Sequence, residues 1–191
     1  MSVLAEVVNR LCVEKFIYTT HDRKSWWSYE EWKTNWKIMC CGETGFAVCG
    51  LADRLPDVRQ ALWLSARGVI ETLNAVPPEG DWEEGVTYWF TTLYMGLRFA
   101  VALKRLTSGD VDLLEHPALA RTGDFGMMTA FPSGYLYDFN DNLNKMTTVG
   151  ADAMLWLAVH AGRRDWLHAV RMFPSDTPVW LSNDAPDLED E

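Results

Sequence analysis

The sequence predicts an all-α fold of successive antiparallel helical hairpins joined by short turns, and three observations carry that expectation. Apolar residues recur at three- and four-residue intervals along most of the chain, as in Val58, Ala61, Leu62, Ala66, Val69, Ile70 and Leu73. No segment shows the apolar and polar alternation of a half-buried strand. The periodic stretches are separated by compact turn and capping signals, among them Asp53-Arg54-Leu55-Pro56 and Thr107-Ser108-Gly109-Asp110.

The elements follow in order. Ser2 to Tyr18 reads as a helix with Val3, Leu4, Val7, Val8, Leu11 and Phe16 on one side. Ser28 with Glu31 has capping-box spacing, and a second helix is expected from there to about Leu51, with Asn35 in its middle. Its glycines, Gly42, Gly45 and Gly50, each cost about 1 kcal/mol against alanine in an exposed helix, which points to tight contact between helices. Pro56 opens the helix that ends before Pro77-Pro78. Asp81 and Glu84 repeat the capping-box spacing and predict a long apolar helix over Trp82 to Leu106. Val111 to Glu115 reads as a helical turn and Pro117 to Met128 as a helix. Ala130 to Asn142 is an aromatic-rich loop, and loops of that kind often build sites. Met146 to Ala161 and Arg164 to Phe173 are the last two helices. This organisation gives one domain over residues 1–173 and an acidic tail, 174–191, expected to be poorly ordered.

Composition narrows the function. Hydrophobic residues make up 48% and charged residues 23%, as in a globular protein. No apolar run approaches the roughly 18 residues that span a bilayer, so no membrane partner is expected. The N-terminus has no basic start followed by an apolar block, so no signal peptide is visible. A formal net charge of −10 disfavours nucleic acid, whose phosphates require a basic stripe. Cys12, Cys40, Cys41 and Cys49 and the scattered histidines show no zinc spacing, so neither metal nor cofactor is expected, and the cysteines read as buried free thiols.

The stretch from Gly80 to Tyr94 concentrates carboxylates, aromatics and glycines at a helix entrance. Glu84 and Tyr88 lie four apart on one face there, a carboxylate and a phenol placed together. The ten tryptophans, Trp32, Trp36 and Trp89 among them, suit both packing and stacking on sugars.

Three landmarks then appear in sequence: Asn35-Trp36; Asp81-Trp82-Glu83-Glu84-Gly85 with Tyr88-Trp89; and Pro132-Ser133-Gly134 with Phe139-Asn140-Asp141. Their order and separation resemble the heparinase II/III and alginate lyase family of polysaccharide lyases over roughly residues 28 to 170. The resemblance implies part of an α/α toroid, in relatives normally followed by β-sandwich sheets, so a missing sheet domain or self-association through an uncovered apolar face is expected. It implies β-elimination on a uronate-containing polysaccharide. Tyr88 would be the base, Asn35 would neutralise the uronate carboxyl, Trp36 and Trp89 would form a sugar platform beside Trp32 and Glu84, and Tyr137 and Asp141 would line the rim. Relatives are usually periplasmic or secreted. Two other readings stay open: a glycoside hydrolase on a six-hairpin toroid with an Asp or Glu as general acid, for which Asp124 and Asp141 are the candidate acid and base, and a carbohydrate-binding or interaction module without chemistry.

Overall fold

The computed structural model describes residues 2–29, 34–131, 135–137, 139–140 and 148–167. The expected acidic tail and most of the expected last helix lie outside the described residues. Among those described, the chain is predominantly helical, in agreement with the all-α expectation: α1 (Val3–Val8), α2 (Glu14–His21), α3 (Asn35–Gly50), α4 (Val58–Ala75), α5 (Val86–Leu106), α6 (Leu119–Thr129) and α7 (Thr148–His160). A wide helical turn, Asn9–Val13, joins α1 to α2. The β pairing among the described residues is one bridge between Ala130 and Leu136. The chain divides into two compact units: residues 1–75 with 95–115, and residues 76–94 with 116–191.

In the first unit, α3 packs against α4 and against residues 95–106 of α5 through small residues. A methyl group added at Gly42 would lie 2.9 Å from the Met95 carbonyl oxygen, and one at Gly45 would lie 2.5 Å from the Phe99 ring. Gly96 accommodates Ile38 in the same way, and Gly68 on α4 makes room for Cys41. The close approach expected of Gly42 and Gly45 is therefore present, whereas Gly50 has open space around it. Cys41 is buried, and that burial pushes its thiol well above the ordinary range. Cys12, in contrast to the expectation, is exposed.

A polar network ties α2, α3 and α4. The Arg23 guanidinium donates to both carboxylate oxygens of Glu71, at 2.7 and 3.3 Å, and to the Ser28 carbonyl at 2.9 Å. Lys37, only 2% exposed, reaches Glu71 at 3.3 Å, and Arg67 donates to the Thr20 carbonyl at 2.9 Å. Burial by itself would raise the Glu71 pKa, but the Arg23 hydrogen bonds and the Lys37 charge together hold it below its ordinary value.

In the second unit, Trp89, Phe90, Phe125, Met154, Trp156 and Trp166 are buried together with Leu93, Leu119 and Leu157. Trp89 meets Phe90 at 4.7 Å and Phe125 edge-on at 5.5 Å between ring centroids. Gly123, Gly126 and Gly150 let the Trp166, Trp89 and Phe90 rings lie directly on the helix backbone.

Two helices start later than the capping-box spacing predicts. α3 begins at Asn35 rather than near Ser28, because the Ser28 hydroxyl donates to the Ser25 carbonyl at 2.6 Å and Tyr29 leaves in an extended conformation. α5 begins at Val86 rather than near Trp82. Val111 to Glu115 forms a turn, and the run from Arg164 opens with a tight turn, Arg164–Trp166, that leads into Leu167 in helical conformation, the last described residue.

Candidate functional site

The entrance to α5 is built by two glycines and one threonine. Pro77-Pro78 end the preceding helical run, and the Gly80 N–H closes a turn onto the Pro77 carbonyl at 2.9 Å. Gly80 has φ +82°, and a side chain there would meet the backbone of Thr122 at 2.8 Å. The buried Thr122 hydroxyl donates to the Gly80 carbonyl at 2.7 Å and accepts the Trp89 indole N–H at 2.6 Å. One side chain of α6 thus holds both the turn before α5 and the first large ring on it.

Between these points the chain makes a second turn, closed by the Gly85 N–H on the Trp82 carbonyl at 3.2 Å. Gly85 has φ +100°, and its carbonyl accepts the Trp89 N–H at 3.0 Å, the opening bond of the helix. The Glu84 carboxylate accepts the N–H of the buried Trp82 indole at 3.0 Å, so the geometry is not the expected reach back to Asp81. Tyr88 lies in the first turn of α5 with its side chain half-buried.

The third landmark reaches this entrance. The Asn140 side-chain amide donates to the Glu83 carbonyl at 2.6 Å, across 57 residues of chain, and Asn140 itself adopts φ +52°. Next to it a line of rings runs from surface to core. Phe131 and Tyr137, 47% and 56% exposed, lie 6.5 Å apart at 34°; Tyr137 is 6.0 Å from Phe139, and Phe139 is 6.3 Å from Phe125, which abuts Trp89. The bridge between Ala130 and Leu136 sets the two exposed rings side by side, with the Phe131 N–H on the Tyr135 carbonyl at 2.8 Å. The two exposed rings, inclined to each other by 34°, form an aromatic patch against which a sugar ring can stack.

Of the sequence-predicted site residues, Tyr88, Glu84 and Tyr137 are accessible to some degree in the second unit. Trp89 is only 1% exposed and hydrogen-bonded to Thr122, so it has no face to offer a sugar and serves the core. Asn35 belongs to the first unit, where it is the first residue of α3 rather than a mid-helix residue. It is 2% exposed and its amide donates to the Met39 sulfur at 3.4 Å, which leaves no surface for a substrate carboxyl in this conformation. Trp36, also in the first unit, is 48% exposed and meets Trp26 edge-on at 5.9 Å. Trp32 and Asp141 lie outside the described residues.

Asp124 is committed elsewhere. It accepts from Arg163 at 2.6 Å and from the Trp166 indole at 2.8 Å, and the hydrogen bond from Arg163, ahead of that from Trp166, lowers its pKa. A general acid for glycoside hydrolysis requires the opposite shift. Thr122, Phe131 and the Glu83 carbonyl were not singled out in the sequence, because each acquires its role from a partner distant along the chain or from a bridge that no local pattern announces. No family model, curated protein or solved structure matches this chain.

Proposed function

We propose that this chain is a polysaccharide-lyase-type domain that acts on a uronate-containing glycan by β-elimination, with Tyr88 as the base. The observation that carries the reading is the Asn140 to Glu83 hydrogen bond, which joins two of the three motif segments at the helix entrance where Tyr88 sits. The exposed Phe131 and Tyr137 rings support a glycan as the ligand class. In the reaction the phenolate takes the proton from the carbon α to the uronate carboxyl. The electron pair left behind forms a carbon–carbon double bond as the glycosidic C–O bond breaks, and the leaving oxygen collects a proton. The Asp124 clamp argues against a hydrolytic acid at that position.

The test is ultraviolet absorbance of the unsaturated uronate product after incubation with alginate, heparan and hyaluronan. The wild-type chain is expected to generate it and Tyr88→Phe to lose at least about a hundredfold in rate, the usual worth of a general base. Reducing ends without absorbance would mark a hydrolase. Glycan binding with neither signal would mark a non-catalytic module.

A further inference from the structure

The N-terminal helical run is apolar on two opposite faces. Ala5, Val13 and Phe16, with Asn9 and Thr20, face inward and are buried within their unit. On the other side Val3, Leu4, Val7, Leu11 and Tyr18 are 43–80% exposed and form a continuous stripe. A contiguous apolar stripe on the solvent side, rimmed by polar residues, marks a contact surface. The stripe borders an open groove of about 430 Å³ lined by Arg10, Leu11, Glu14, Lys15 and Tyr18.

We propose that this stripe is the homodimer interface of the chain, formed by two antiparallel copies of the run Val3–His21 crossing on a two-fold axis at Leu11. Three of the stripe's five residues, Leu4, Leu11 and Tyr18, are placed symmetrically about Leu11. Leu4 and Tyr18 each lie seven positions from Leu11, so the axis sets Leu4 of one copy against Tyr18 of the second copy and Leu11 against itself. The flanking charges follow the same symmetry. Arg10 and Glu14 lie one turn apart along one flank of the stripe, and Arg10 makes no ion pair among the described residues. In the antiparallel arrangement equivalent flanks meet, and Arg10 of one copy comes within roughly 3 Å, along the axis, of the level of Glu14 of the second copy. Two such pairs form, one on each side of the axis. A bilayer surface fits less well: anionic lipid attracts flanks of Lys and Arg alone, whereas this stripe carries both signs on a chain of net charge −10.

Sedimentation velocity over a concentration series tests the proposal, with circular dichroism verifying that each variant is folded. The wild-type chain is expected to dimerise, and Leu11→Arg, which places two like charges on the axis, to leave it monomeric. Arg10→Glu and Glu14→Arg should each weaken the dimer about tenfold or more, and the double variant should recover most of that loss. Recovery by a second change in the same chain separates self-association from capture of another protein. Leu11→Cys in a Cys12→Ser background provides an independent readout, since its thiols meet at the axis and should form a disulfide-linked dimer under mild oxidation, while Val3→Cys should not. A wild-type chain that stays monomeric throughout, a dimer insensitive to Leu11→Arg, or crosslinking no better at Leu11 than at Val3 would overturn it.

Discussion

At the residue scale, single side chains with two partners hold each unit together. Thr122 satisfies the Trp89 indole and the Gly80 carbonyl simultaneously, in a site where its own exposure is zero. Thr122→Val keeps the shape but leaves a buried donor and a buried acceptor unpaired. It should cost about 3 kcal/mol in urea denaturation, whereas Thr122→Ser should retain most of the stability. Glu71 has the same standing in the first unit, where it is the acceptor for Arg23 and for the buried Lys37. Its folded-state pKa lies below its ordinary value of 4.5, so its contribution is complete above that value and is lost as pH falls through the lower folded-state one. Glu71→Gln should therefore cost about 3 kcal/mol at neutral pH, and its denaturation midpoint should converge on that of the wild type in acid. Neither role was legible in the sequence. Thr122 lies 42 residues from Gly80 and Glu71 lies 48 from Arg23, and nothing in local pattern reports a hydrogen bond across such separations.

At the element scale, the existence of the helices was legible and their starting points were not. Periodicity located α3, α4, α5, α6 and α7, because an amphipathic or fully apolar helix must repeat its buried positions every three to four residues. Both expected capping boxes failed for one reason: the side chains that were to cap found other partners. Ser28 donates to the Ser25 carbonyl, and Glu84 accepts from the Trp82 indole. The true start of α5 is set by Gly85 at φ +100°, a conformation that side chains resist. Gly85→Ala should cost about 1–3 kcal/mol by thermal or urea denaturation and, on the proposed mechanism, also lower the elimination rate, since Tyr88 sits within the first turn it opens. Helix contact in the first unit depends on equally little space. Gly42→Ala should destabilise by about 1–3 kcal/mol, because the added methyl meets the Met95 carbonyl at 2.9 Å and backbone yields less than a side chain. Gly50→Ala, with open space and a place at the end of α3, should be neutral or slightly stabilising in the same measurement.

At the scale of the whole molecule, charge makes the proposed substrate unusual for this chain. A net charge of −10 repels a polyuronate, so contact must come from rings and hydrogen bonds. Binding to such a polymer should strengthen as salt rises from low ionic strength toward about 0.15 M, where the Debye length falls to about 8 Å. A basic glycan binder would show the reverse, and affinity by calorimetry at two salt concentrations distinguishes them. By itself the sequence determined the helical class, the acidic balance, the approach of helices at Gly42 and Gly45 and the aromatic motif segments, because periodicity, charge and residue type are local or additive properties of the chain. Only the tertiary structure decided which aromatics are surface and which are core. Trp89 is enclosed by Thr122 and Phe125 while Phe131 and Tyr137 stay in solvent. The same holds for the buried amide of Asn35 and for the meeting of Asn140 with Glu83, since burial and long-range hydrogen bonding depend on what the rest of the chain brings to a residue.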